Sequence, residues 1–77
     1  MLAGMPHTVV AELVANVGQV MVAVGDAVGP LDTLVILESM KMEIPVLAEV
    51  SGIVSEVSVA TGDAISEGDV IAVISTA

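Results

Sequence analysis

The chain is 77 residues long, sets one Lys or Arg against ten Asp and Glu for a net charge of −9, and contains no Cys, Phe, Tyr or Trp. That balance argues against nucleic acid and anionic membrane as partners, and the missing Cys excludes a disulfide framework and a thiolate metal site. The length suits one domain near the lower limit for folding on a core alone, and 22 Val and Ile residues without an aromatic favour pleated sheet around an aliphatic core.

Taken in order, Met1 to His7 is expected to be a flexible lead, with the folded domain running from residue 8 to residue 77. His7 is a lone imidazole, and no metal or catalytic role is assigned to it. A first strand is expected over Thr8 to Leu13 with Glu12 facing solvent. A second is expected over Val17 to Val24, where Val20, Val22 and Val24 alternate with Gln19, Met21 and Ala23. Gly25-Asp26 and Gly29-Pro30 read as turns. Leu34 to Leu37 is a continuous apolar run of the buried-strand kind, and Ile44, Val46 and Leu47 begin another strand. Pro45 removes one ladder donor, which places its strand at a sheet edge or start. Ile53 to Val59 and Val70 to Ser75 complete the strands, punctuated by Gly62-Asp63 and Gly68-Asp69. No apolar stretch reaches the roughly 18–20 residues of a spanning helix. The N-terminus lacks the basic region of a secretory signal, so a cytoplasmic location is expected.

An internal repeat organises these elements. With an offset of 37, residues 8–38 lie over residues 45–75 without a gap and share eleven identities, among them Ala11/Ala48, Val17/Val54, Gly25/Gly62, Asp26/Asp63 and Asp32/Asp69. Two short-strand units that each expose one apolar face pack face to face. The expected fold is therefore all-β: a flattened barrel or sandwich of two four-stranded antiparallel sheets with quasi-two-fold symmetry. One position departs from the repeat, because Leu31-Asp32 stands where the second half has Gly68-Asp69. Gly29-Pro30 is expected to supply that bend.

Residues 39–44 fall between the copies and hold the most singular residue of the chain. Lys41 is its only Lys or Arg, and it sits where a tight hairpin would be expected to carry Gly, Asn or Asp. If Met40-Lys41 forms a two-residue primed turn, both residues take positive φ at a cost of about 1–2 kcal/mol each. A local rule broken at the one cationic side chain marks a functional site. Nothing nearby would activate its amine, so an enzyme that modified it would have to desolvate or deprotonate it. The acidic residues form no acid/base pair and read as a solvated face, so no catalytic residue is assigned.

The stretch Glu38-Ser39-Met40-Lys41-Met42-Glu43-Ile44-Pro45-Val46 resembles the attachment motif of the biotinyl domains of biotin carboxyl carrier proteins. Ser51-Gly52-Ile53-Val54, Gly62-Asp63 and Gly68-Asp69-Val70-Ile71 resemble the second half of the same domain. The likeness extends over residues 8–75 and is greatest to short standalone bacterial biotinyl proteins that lack the protruding thumb loop. The resemblance implies a barrel-sandwich hybrid fold, with biotin joined by an amide to Lys41 on an exposed hairpin. Met40 and Met42 beside it are expected to contact biotin or the ligase, against the plainer reading of incidental solvent-exposed thioethers, and no metal site is expected. Implied partners are a biotin protein ligase, a biotin carboxylase and a carboxyltransferase, served by a non-catalytic carrier; a monomer is expected because full presentation of the hairpin needs open space around it. The absence of an Ala/Pro-rich linker leads to the expectation of a carrier that meets its enzymes by diffusion. Two other readings stand beside this one: a lipoyl carrier of the same fold, whose tip typically reads Asp-Lys-Ala, and an unmodified interaction module.

Overall fold

A computed structural model describes residues 5–76. Eight strands run in chain order: β1 (Met5–Val10), β2 (Ala15–Val20), β3 (Ala27–Val28), β4 (Thr33–Ser39), β5 (Met42–Leu47), β6 (Gly52–Val57), β7 (Ala64–Ile65) and β8 (Val70–Thr76). They form two four-stranded sheets, ordered β1-β8-β6-β3 and β5-β4-β2-β7, in which every pairing is antiparallel. Of the two expected forms the sandwich is the one adopted, since neither sheet closes on the other.

The repeat governs the fold strand by strand. Adding 37 to the bounds of β1, β2, β3 and β4 gives the bounds of β5, β6, β7 and β8. Register irregularities repeat too, at Val17/Gln19 in one half and Val54/Glu56 in the other. The core is built from the same positions twice: Ala11 and Ala48, Val17 and Val54, Val28 and Ile65, Leu34 and Ile71, Val35 and Ala72, Leu37 and Ile74 are all buried. Each buried branched aliphatic contributes roughly 1.5–3 kcal/mol relative to exposure. No polar side chain is buried among the described residues.

The first strand corrects the expectation of a flexible lead over residues 1–7. Met5, Pro6 and His7 pair with Thr76, Ser75 and Ile74, and the Thr76 hydroxyl donates to the Met5 carbonyl at 3.0 Å. The last strand therefore recruits residues whose own pattern carries no strand signal; Met1 to Gly4 lie outside the described residues. The same strand ends at Val10 rather than Leu13. Ala11 turns its N–H to the Asp69 carbonyl at 2.8 Å as the chain crosses between sheets. The second strand likewise occupies 15–20 instead of 17–24, because Ala23 to Asp26 closes into a turn.

Four turns share one construction. The N–H groups of Ala23, Gly29, Ala60 and Ser66 donate to the carboxylates of Asp26, Asp32, Asp63 and Asp69, each three residues ahead, at 2.8–2.9 Å. In the reverse direction each Asp N–H donates to the carbonyl of that first residue at 3.0–3.1 Å. All four aspartates of the chain are thus turn residues, which removes them from any candidate chemistry. In three of these turns the third position is a Gly with positive φ, as at Gly68 (92°).

The fourth turn is the exception, and it shows how the chain compensates. Pro30 and Leu31 fill its centre, so Gly29-Pro30 begins the bend as expected, and Leu31 avoids positive φ. A turn with positive φ at its third residue and one without it differ by a flip of the central peptide. Accordingly Gly68 donates its N–H to the Ala11 carbonyl, whereas at the equivalent place the Pro30 carbonyl accepts from the Glu49 N–H at 2.9 Å. Glu49 adopts φ 65° to aim that donor. The strain avoided at Leu31 is therefore transferred to Glu49, a consequence that no local pattern announces.

Candidate functional site

Ser39 and Met42 are the last paired residues of β4 and β5, which leaves Met40 and Lys41 as a two-residue loop. Their φ values are 52° and 67°, both positive as a type I′ turn requires. The expected left-handed tip is present without any glycine to relieve it. Together the two residues cost on the order of 2–4 kcal/mol, which the rest of the hairpin must offset. Six register positions from Thr33↔Leu47 to Ser39↔Met42 do so, and Leu37, facing Ile44, is fully buried.

The side chains at the tip point away from that core. Lys41 is exposed, Met40 is 89 % exposed and Met42 58 % exposed. Among the described residues no side-chain hydrogen bond engages the Lys41 amine. Directly behind the tip Glu38 and Glu43 face each other across the strands, both exposed. Like charges in direct opposition disfavour a pair of strands, so this site carries electrostatic as well as backbone strain. Glu38 also overlies Gly18 on the neighbouring strand, where an added Cβ would meet its carboxyl carbon at 2.8 Å. Pro45 lies on β5, an edge strand of its sheet.

The structure therefore brings Met40, Lys41 and Met42 together on one projection. Sequence reasoning did not foresee the Glu38–Glu43 opposition; the signal was present in their equal spacing about the turn. Asn16 of β2 pairs with Glu38, and Ala15 pairs with Ile65. The β8 strand begins five residues beyond Ile65 and runs to Thr76, beside Met5. Met5 and Thr76 consequently lie at the end of the molecule opposite Lys41, in a body 45 Å long and 19 by 17 Å across. Among the described residues no His/Asp/Glu group could hold a metal ion, and no helix is long and apolar enough to cross a membrane.

A strained, exposed projection bearing the one side-chain amine of the chain, set on a two-sheet sandwich, is a geometry able to present a covalently attached group. The family of biotin- and lipoyl-attachment domains, described as "Biotin-requiring enzyme", matches residues 2–74. The chain belongs to that family. A biotinylated protein TB7.3 homolog of Mycolicibacterium smegmatis is 63% identical over 43 residues, which are 56% of this chain and 61% of that protein. The match thus spans under two thirds of the length of the curated relatives. Among solved structures, the urea carboxylase of Kluyveromyces lactis matches with a TM-score of 0.85 and 32% identity over 96% of this chain and 6% of that one. The lipoyl domain of the 2-oxoglutarate dehydrogenase complex from Azotobacter vinelandii matches with a TM-score of 0.70 and 22% identity over 86% of this chain and 94% of that domain, a likeness of fold alone.

Proposed function

We propose that the protein is a biotin carrier in which Lys41 is the residue biotinylated. The observation that carries this reading is the solitary amine held on a glycine-free, positive-φ turn. A chain has no structural reason to spend that strain on an exposed Lys between two exposed Met. The amine fits the group: it is primary, exposed, and able to form a stable amide, and its four-carbon stem reaches away from the turn. When bound, biotin supplies the carboxyl-carrying chemistry, while the protein supplies placement. The rigid hairpin fixes the root of the arm, and Met40 and Met42 offer two adaptable apolar contacts to the ligase or the cofactor.

The partners that follow are a biotin protein ligase, which must strip solvent or a proton from Lys41, then a biotin carboxylase and a carboxyltransferase between which the arm moves. Similarity to a domain within a carboxylase supports that assignment. A monomer suits the role, because a second copy over the tip would block it. The lipoyl alternative is supported only by fold, and the tip reads Met-Lys-Met. Mass spectrometry of the protein from its native host separates the readings: one biotinyl addition is expected, and one lipoyl addition or none overturns it. Lys41→Ala should abolish reaction with streptavidin and leave the thermal midpoint unchanged within a few degrees, since the side chain contributes nothing to the core. A variant still recognised by streptavidin removes Lys41 from its role.

A further inference from the structure

We propose that Met40 and Met42 form a peroxide-sensitive modification site, and that their sulfoxidation slows biotin transfer to Lys41. The inference rests on the biotin-carrier reading and adds a chemical control to it. Met40 is the most exposed large hydrophobic side chain among the described residues, at 89 %, and Met42 is 58 % exposed. The turn that projects the lysine projects both thioethers with it, so peroxide reaches them without any opening of the fold. The chain contains no Cys, Tyr or Trp, so no thiol or electron-rich aromatic ring competes for the oxidant. Met5 at 70 % and Met21 at 47 % exposure are the other described thioethers, and they serve as internal comparisons.

The chemistry is balanced. One oxygen atom passes from hydrogen peroxide to the thioether sulfur, which is oxidised by two electrons to the sulfoxide, and the peroxide is reduced to water. The product is polar and chiral where the original side chain was apolar and pliable. A ligase that closes over Met40 and Met42 to reach the amine would then bury an oxygen acceptor against an apolar contact. The added acceptor also joins Glu38 and Glu43, which are paired just behind the tip, so no local donor on these two residues can satisfy it.

The test uses the unmodified 77-residue chain, hydrogen peroxide and a biotin protein ligase. The readouts are intact mass for biotin and peptide mass mapping for each sulfoxide. The expectation, following exposure, is that Met40 oxidises at least as fast as Met5, and Met42 at least as fast as Met21. The initial rate of biotin addition should fall about tenfold, the scale of burying one unpaired polar group, and methionine sulfoxide reductase should restore it. In Met5→Leu/Met21→Leu the response should persist. In Met40→Leu/Met42→Leu the ratio of treated to untreated rate should return to one, whatever the untreated rate of that variant. Equal rates before and after oxidation at both tip methionines overturn the inference and leave the carrier reading standing. Failure of the untreated wild type to accept biotin overturns the carrier reading itself.

Discussion

At the scale of single residues the tip has exchanged stability for presentation. Met40 and Lys41 both hold positive φ, and neither side chain gains any burial in return. Asn tolerates the left-handed region far better than Met. Met40→Asn should therefore stabilise the fold by about 0.5–1 kcal/mol, raising the thermal midpoint by roughly 3–6 °C for a domain of this size. On the proposed carrier reading it should at the same time slow biotin addition, because Asn removes the apolar thioether from the tip. A melting curve and a ligase time course on one sample check both halves. A variant neither stabilised nor slowed would show that the tip is relaxed and that Met40 is a bystander. The strained geometry of the tip was legible in the sequence because two signals coincided: a unique cation, and a turn without turn residues. Glu49 was not legible. Its positive φ answers a peptide flip at Pro30-Leu31, nineteen and eighteen residues earlier, and only the three-dimensional pairing connects them.

At the scale of elements, the turns matter more than the shortest strands. β3 and β7 are two residues each, held by two register positions, and each directly follows a turn closed by an aspartate. Removing the carboxylate in Asp26→Ala or Asp63→Ala should cost about 1 kcal/mol, the net value of a typical hydrogen bond. The two losses should add in the double variant, because the turns belong to different edges of the sandwich. Chemical denaturation of the four proteins measures this; a double variant no less stable than the singles would mean the turns act as one unit. The repeat made the strand plan readable in outline, since identities at an offset of 37 imply equal elements at that offset. It could not show the ends. Residues 5–7 are strand only because 74–76 lie beside them, and residues 21–24 are not, despite continued alternation, because the Ala23–Asp26 turn takes the chain to the other sheet. β3 and β7 leave no mark in the sequence for a simpler reason. Two residues carry no period.

At the scale of the whole molecule, charge and topology each set a measurable property. Ten carboxylates and one amine occupy a body with a radius of gyration of 12.1 Å, well inside the ~30 Å screening length at 0.01 M salt. Most pairs of like charges therefore repel one another at low ionic strength. Raising salt toward 1 M should raise the thermal midpoint, and a flat or falling dependence would contradict that repulsion. Topology makes a different demand. The repeat suggests two independent halves, yet each sheet is assembled from both. β1 and β3 of the first half flank β8 and β6 of the second, and β5 and β7 of the second flank β4 and β2 of the first. Neither half alone has a complete sheet, and each alone would expose the buried faces of Leu34, Leu37, Ile71 or Ile74. Cutting the chain between Met40 and Lys41 removes no strand, because both residues lie in the loop. Fragments 1–40 and 41–77 should therefore each be unfolded by circular dichroism, and a one-to-one mixture should regain the sheet signal. The intact hairpin supplies an effective concentration in the mM range, so the mixture should melt earlier than the intact chain and with a midpoint that rises with concentration. A single fragment with its own cooperative transition would show that half of the repeat is an autonomous unit, and the interleaving of the sheets would then not be what holds this fold together.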